Sequence, residues 1–171
     1  GPFTIGNSGS GSFNLLTIDG TNTTYTLSSA MDVNGDLTIT AGNTLNAGVY
    51  TISSSADWAN NGTFEDGTGT VIFDGGVLQH VNNGSSTFNI VNVNKTANRV
   101  ELDAETTIDS DLTVVSGELR SDVSMDVNGS ATILSGGTLN MNTNPATISG
   151  SLENAGAVTL PGALTFDGSA G

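Results

Sequence analysis

The sequence predicts an all-β protein, a parallel β-solenoid of about eight rungs of 19–22 residues with no significant helix. Three observations predict this fold. Short segments alternate apolar and polar residues, Asn-Gly or Gly pairs separate the segments, and the segments recur at fixed offsets. Alternation with period two is typical of strands, and recurrence at one coil length is typical of solenoids, in which each coil stacks on the last.

The strand segments are short. Alternation is clear at Met31–Val33, Leu37–Ile39, Val91–Val93 and Leu164–Phe166, where two apolar residues flank one polar residue. The flanking residues therefore face one side of a strand and the polar residue faces the other. Thr, Asp, Asn and Ser fill most of the polar positions, and Thr has a good strand propensity.

The corners between strands are marked by Asn-Gly pairs, at residues 34–35, 61–62, 83–84 and 128–129. Gly and Asn accept the left-handed backbone of tight turns. Asn-Gly fits two architectures, namely antiparallel hairpins of a β-sandwich or barrel and the corners of a parallel solenoid. Regular spacing favours the solenoid, because equivalent residues then lie on top of one another.

Two internal repeats set the coil length. The segment MDVNGDLTITAGNTLNA from Met31 recurs as MDVNGSATILSGGTLNM from Met125, at an offset of 94 residues. The segment SFNLLTID from Ser12 recurs as TFNIVNVN from Thr87, at an offset of 75. The offsets differ by 19 residues, which predicts the length of one rung.

Two series of apolar residues follow this spacing and predict two stretches of one stacked column. They are Leu16, Leu37 and Trp58, and Val91, Leu112, Ala131 and Leu152. The interval from Trp58 to Val91 is 33 residues and does not fit one rung, so a wide loop or an extra short coil is expected there.

The apolar residues in equivalent positions form the predicted core. They are Leu16, Ile18, Met31, Val33, Leu37, Ile39, Leu45, Ile52, Trp58, Phe64, Phe73, Phe88, Leu112, Met125, Val127, Leu139, Ile148 and Leu152. An aspartate at Leu37 would bury an unpaired charge and should cost several kcal/mol.

Composition excludes several functions. The net charge is −14, with 3 basic and 17 acidic residues, so nucleic acid and anionic membranes are not expected as partners. No apolar stretch approaches the roughly 20 residues of a membrane span, which excludes membrane insertion. The chain has no cysteine, hence no disulfide, thiolate metal site or cysteine nucleophile. Residues 1–171 are interpreted as one module, a unit of a longer array or filament.

The motifs GDLTITAGNTL, WANNGTF and GTVIFDGG together resemble repeat-rich bacterial surface proteins. Such proteins are similar to the parallel β-solenoids of filamentous-haemagglutinin-like adhesins and autotransporter passengers. The resemblance covers most of the chain and implies a secreted or cell-surface location. It implies an architecture and supplies no catalytic residue, since one fold hosts many functions.

Catalysis is not expected. His80 is the only histidine, no nucleophile-elbow pattern surrounds any serine, and His80 is interpreted as a loop residue. Parallel solenoids also include polysaccharide-degrading enzymes, which can use two carboxylates, but 17 acids produce such pairs by chance. A carbohydrate-directed adhesin or polysaccharide-degrading module is therefore the alternative function, with surface glycans as the additional partner.

The segment ELDAETTIDSD holds the densest charge, and its acids are the only candidate metal ligands. They are Glu101, Asp103, Glu105, Asp109 and Asp111. Alternation predicts that Glu101, Asp103 and Glu105 share one strand face, and that Asp109 and Asp111 share another. These acids are interpreted as a solvated acidic stripe that Lys95 and Arg99 partly offset. No cofactor is expected beyond weakly and non-specifically bound Ca²⁺, because the nonapeptide of calcium-stacked solenoids is absent.

The two ends of the chain continue each other. The segment VIFDG from Val71 recurs as LTFDG from Leu164 at an offset of 93, by which Gly171 corresponds to position 78. By the offset of 75, Phe3 also corresponds to position 78, so one copy leaves off where the next takes up. Uncapped rungs expose backbone groups that template another strand. The sequence thus predicts a structural protein that stacks head-to-tail with itself, covalently in tandem or as a fibre. The expected contacts are Phe3, Ile5, Phe13, Leu15, Thr17, Leu152, Leu160, Leu164, Thr165 and Phe166. Charge reversal or proline at Thr17 or Thr165 should leave each module folded but shorten the rods.

Overall fold

The computed structural model describes residues 3–6, 11–159 and 162–168. These residues form twenty strands and no helix, and all strand pairs are parallel. The chain coils about eight times around one axis and passes three faces in each turn. The predicted parallel β-solenoid is confirmed.

We name the faces after one inward residue of each. The Val33 face carries Phe13, Met31–Val33, Ile52–Ser54, Thr70–Phe73, 90–93, 112–114, 131–133 and Leu152–Asn154. The Leu37 face carries Leu16–Ile18, Leu37–Ile39, Trp58–Asn60, Gln79–Asn82, 99–102, 118–121, 137–140 and Ala157–Thr159. The Leu45 face carries Phe3–Ile5, Thr24–Leu27, Thr44–Asn46, Thr63–Glu65, Phe88, Thr106–Ile108, Met125–Val127, Ala146–Ile148 and Leu164–Phe166.

The two halves differ in their corners. In the first half each face is a separate strand of three or four residues. In the second half the Val33 and Leu37 faces are joined in the continuous strands Ile90–Leu102, Leu112–Ser121 and Ala131–Asn140. Register shifts mark the bend, and Gly117 adopts a φ of 75° there. Glycine suits this position because a Cβ is unfavourable at positive φ.

The predicted columns are confirmed, but they lie on two faces. Trp58 pairs with Val81 on the Leu37 face, whereas Val91 pairs with Val71 on the Val33 face. The 33 residues between Trp58 and Val91 are thus one and two-thirds regular turns. The expected wide loop or extra coil is wrong, because the sequence pattern does not reveal which face a segment occupies. Paired residues lie 18 to 23 positions apart.

The inward residues form one continuous core along the axis. All predicted core residues are buried except Leu16 and Leu152, which are half-buried because they lie in the terminal coils. Part of the core is aromatic: the centre of the Trp58 ring lies 4.9 Å from that of Phe64, in an edge-to-face contact, and 5.5 Å from that of Phe88. Such contacts add to the stabilisation from burial.

Candidate functional site

The basic side chains of the surface gather on the Leu37 face. Arg120 is the strand partner of Glu101, and its Nε lies 3.6 Å from Glu101 Oε1. Arg99 reaches the same carboxylate at 3.3 Å, and Arg120 also binds Asp122 at 3.0 Å. Both arginines are thus paired with carboxylates of the same chain. This pairing does not favour the binding of a charged ligand.

His80 lies on strand Gln79–Asn82, so its assignment to a loop is wrong. The side chains of its neighbours Gln79 and Val81 point into the core, so the imidazole of His80 faces outward. His80 Nδ1 lies 3.0 Å from Asp103 Oδ2, and its backbone N–H donates to Asp57 Oδ1 at 2.8 Å. The hydrogen bond to Asp103 raises the pKa of His80. These partners favour the protonated imidazole and include no hydroxyl nucleophile.

The five candidate metal ligands do not converge. Glu101 lies between two arginines near the end of its strand. The strand ends at Leu102, so Asp103 and Glu105 lie in a corner instead of on one strand face with Glu101. Asp109 accepts from Thr87 Oγ1 at 2.7 Å, and Asp111 accepts from the Ser130 N–H at 2.8 Å. The expected shared faces are therefore wrong.

Within the described ranges, no three His, Cys, Asp or Glu residues lie close enough to hold a metal ion. Weak and non-specific cation binding stays a prediction. Millimolar Ca²⁺ should raise the melting temperature modestly, with Mg²⁺ partly reproducing the shift, because cations relieve the repulsion of net charge −14.

A shallow cavity of about 210 Å³ lies on the Leu45 face, between the coils that contain Glu105 and Asp126. Met125, Pro145 and Thr147 complete much of its wall. One carboxylate oxygen of Asp126, Oδ1, is buried without a hydrogen-bond partner. Two acids in a small open cavity make it unsuited to an anionic ligand.

The interior holds a lysine that the sequence reasoning missed. Lys95 is 2 % exposed, and its ammonium donates to the Asp74 carbonyl and to Gln79 Oε1 at 3.0 Å. Burial lowers the pKa of Lys95, against the opposing effect of Asp74 and Asp57. Lys95 therefore does not offset the acidic surface. The alternation from Val91 and Val93 could have placed it inward.

The ends carry most of the predicted self-association residues in exposed positions. Phe3 is 59 % exposed, Leu15 61 % and Phe166 56 %. Ile5, Phe13, Leu152 and Leu164 are half-buried, and Thr17 and Thr165 are exposed; Leu160 lies outside the described residues. These side chains occupy the terminal coils, which have a neighbouring coil on one side only among the described residues.

Backbone hydrogen bonds show which groups point away from the stack. The Leu16 N–H donates to the Asp36 carbonyl at 2.9 Å, and the Ile18 carbonyl accepts from the Thr40 N–H at 3.0 Å. Since alternate residues of a parallel strand bond to opposite neighbours, the Thr17 N–H and carbonyl point to the open edge.

Thr165 has the opposite orientation. The Ala146 N–H donates to the Ala163 carbonyl at 2.9 Å, so alternation directs the Thr165 amide into the chain's own ladder. Proline at Thr165 would break that ladder. Proline at Thr17 removes no hydrogen bond within the chain, so Thr17 is the better position for the test, and the expectation that the module stays folded remains a prediction for both positions.

No protein-family model, curated protein or solved structure matches the chain. The described residues contain no helix that is long and apolar enough to cross a membrane. What the described residues offer chemically is two β edges, at the first and last coils, that none of these residues covers and that have apolar side chains beside them.

Proposed function

We propose that this protein is a structural, extracellular β-solenoid that stacks head-to-tail into a rod, filament or surface array. Its work is self-association, with a second copy of the chain as the partner and without catalysis or a cofactor. The observation that carries the proposal is that, among the described residues, the strands of the first and last coils have no partner on their outer edges, where the rings of Phe3 and Phe166 are exposed.

The open edges favour a further coil energetically. An unpaired strand presents a row of N–H and carbonyl groups that pair with another chain. Inward-type side chains such as Leu164 and Phe13 are only half-buried, and no further coil of the described residues covers them. Covering them removes apolar surface from water, at about 25 cal/mol per Å².

Head-to-tail contact leads to an open assembly. The surface of the first coil, which includes Phe3–Ile5, differs from the surface of the last coil, which includes Leu164–Phe166, so a contact between the two ends is heterologous. A heterologous contact that does not close into a ring extends indefinitely. The solenoid axis, which each added copy prolongs, gives a linear rod.

Electron microscopy and analytical ultracentrifugation at neutral pH test the proposal. The unmodified chain should form rods whose length increases with protein concentration. Thr17→Pro should shorten them, since it removes an N–H from the open edge without removing a bond within the chain. Thr17→Ala keeps that N–H and is the matched control.

A monomer at all concentrations, with both terminal edges covered by its own residues, would contradict the proposal. Equal rod lengths for Thr17→Pro and Thr17→Ala would show that the Thr17 edge takes no part in assembly. Circular dichroism and thermal melting establish that both variants are folded.

A further inference from the structure

The number of strands on each face decides how two copies meet. In the described residues the Val33 and Leu37 faces each carry eight stacked positions, and the Leu45 face carries nine. Both the first and the last position, Phe3–Ile5 and Leu164–Phe166, belong to the Leu45 face. The described residues of one copy therefore fill eight and one-third turns.

Stacking without rotation leaves a gap. If Phe3–Ile5 of a second copy lies on Leu164–Phe166 of the first, then Phe13 lies two coil heights above Leu152–Asn154. One strand is then missing on the Val33 face, and another on the Leu37 face. Each missing strand leaves open edges at about 10 Å separation, twice the 4.8 Å spacing of paired strands.

Rotation by one-third of a turn removes both gaps. Phe3–Ile5 then covers Leu152–Asn154, Phe13 covers Ala157–Thr159, and Leu16–Ile18 covers Leu164–Phe166. Every open strand of one copy gains a neighbour at one coil height.

The sequence supports the same rotation independently. Leu164–Phe166 corresponds to Val71–Phe73 at an offset of 93, and Leu16–Ile18 corresponds to Val91–Val93 at an offset of 75. Val71–Phe73 and Val91–Val93 are stacked partners in the structure, with Ile72 paired to Asn92. The corresponding pair at the junction is Thr165 with Thr17.

The geometry points to a rod in which each copy is rotated by one-third of a turn relative to the previous copy. This inference rests on the proposed function and specifies its interface: Leu16–Ile18 of one copy pairs in parallel with Leu164–Phe166 of the next, with Thr17 beside Thr165. Each copy adds about 40 Å, and the rod repeats after three copies, at about 120 Å.

Cysteine cross-linking tests the rotation, and the absence of native cysteine removes any background. Thr17→Cys chains are mixed with Thr165→Cys chains under mild oxidation. Strand neighbours at about 4.8 Å lie within the Cα separation that a disulfide accepts, so a linked dimer should form. The matched control mixes Thr4→Cys with Thr165→Cys, a pair that meets only without rotation. All three threonines are exposed, so these substitutions leave the core intact.

Rods in which Thr4→Cys links to Thr165→Cys, while Thr17→Cys does not, overturn the rotation and keep the proposed function. Monomers that link in no mixture overturn both. Links between two Thr165→Cys chains show tail-to-tail contact and also overturn the inference. Helical reconstruction of rods of the unmodified chain is the second measurement, with a one-third turn per copy of about 40 Å as the expected symmetry.

Discussion

The pentapeptide Met-Asp-Val-Asn-Gly occurs twice, at residues 31–35 on the Val33 face and at residues 125–129 on the Leu45 face. The two copies have the same backbone contacts. The Asn34 N–H donates to the Phe13 carbonyl at 2.7 Å, and the Asn128 N–H donates to the Ile108 carbonyl at 2.8 Å. Each Asn side chain also donates to a side-chain oxygen of the preceding coil.

The two glycines of the pentapeptide are equally confined. A Cβ on Gly35 would lie 1.6 Å from the Asn14 carbonyl oxygen, and a Cβ on Gly129 would lie 2.4 Å from the Ser110 carbonyl oxygen. Both carbonyls belong to the preceding coil. Glycine is required at this corner because the coils approach too closely for any side chain.

The comparison shows that the three faces make the same local demands. An offset of 94 residues spans four and two-thirds turns, so the second copy begins two faces further round the coil. The offset of 75 spans three and two-thirds turns and shifts Phe13 to the place of Phe88 in the same way. A motif that points two residues inward and then turns at Asn-Gly fits any face.

The largest expected effect tests this equivalence directly. Val33→Asp and Val127→Asp each place a carboxylate at a fully buried position, and each should cost about 3–5 kcal/mol of unfolding free energy. Asp32 and Asp126 show that aspartate is tolerated in both strands when it faces outward. Urea denaturation measures both variants. Native stability in either variant would refute its inward assignment.

A second effect concerns the coils between the two copies, where the polar side chains of Gln79 and Lys95 are buried beside the apolar core. Gln79→Leu removes the Gln79 acceptor of the buried Lys95 ammonium and should cost about 3 kcal/mol. The double variant Gln79→Leu/Lys95→Met should be more stable than Gln79→Leu alone, since it also removes the stranded charge. A double variant that is less stable than Gln79→Leu would show that Lys95 contributes through packing instead.

Much of the fold could be predicted from the sequence, because its signals are local. Alternation at Met31–Val33 and the Asn34-Gly35 corner identify strand and turn directly. The spacing from Leu16 to Leu37 gives the coil length, and the structure confirms that pair. The face on which a segment lies depends on how many corners precede it, which no local pattern shows. The interval from Trp58 to Val91 was therefore wrongly predicted to contain a wide loop or an extra coil.

The residues of the candidate site also divide into those that the sequence predicts and those that depend on how the coils stack. The end residues Phe3 and Phe166 follow from their position in the chain, and both are exposed as expected. His80 and Asp103 meet only because the coil between them has a particular length, which no local pattern shows. Lys95 was missed because charge alone suggested the surface, although its alternation with Val93 indicated the interior.

A third and smaller effect separates the two copies at their outward aspartates. Asp126 has a buried oxygen without a partner and lies between Thr107 and Thr147 in neighbouring coils. Asp126→Thr should therefore raise the unfolding free energy by about 0.5–1 kcal/mol, through threonine pairs across strands and removal of the unpaired acceptor. Asp32→Thr is the matched control with a smaller gain. Equal gains in chemical denaturation would trace the effect to net charge alone.

The smallest effect concerns the coils between the two copies, where His80 contacts Asp103. Because that hydrogen bond raises the pKa of His80 in the folded chain, its stabilisation is complete below the unfolded pKa. It is lost as the pH rises through the folded value. Both side chains are nearly half exposed, so the contribution stays below about 0.5 kcal/mol. A proton NMR titration of the single histidine should give a pKa above 6.5, and Asp103→Asn should lower it. An unchanged value in Asp103→Asn would assign the shift to the overall negative charge of the protein.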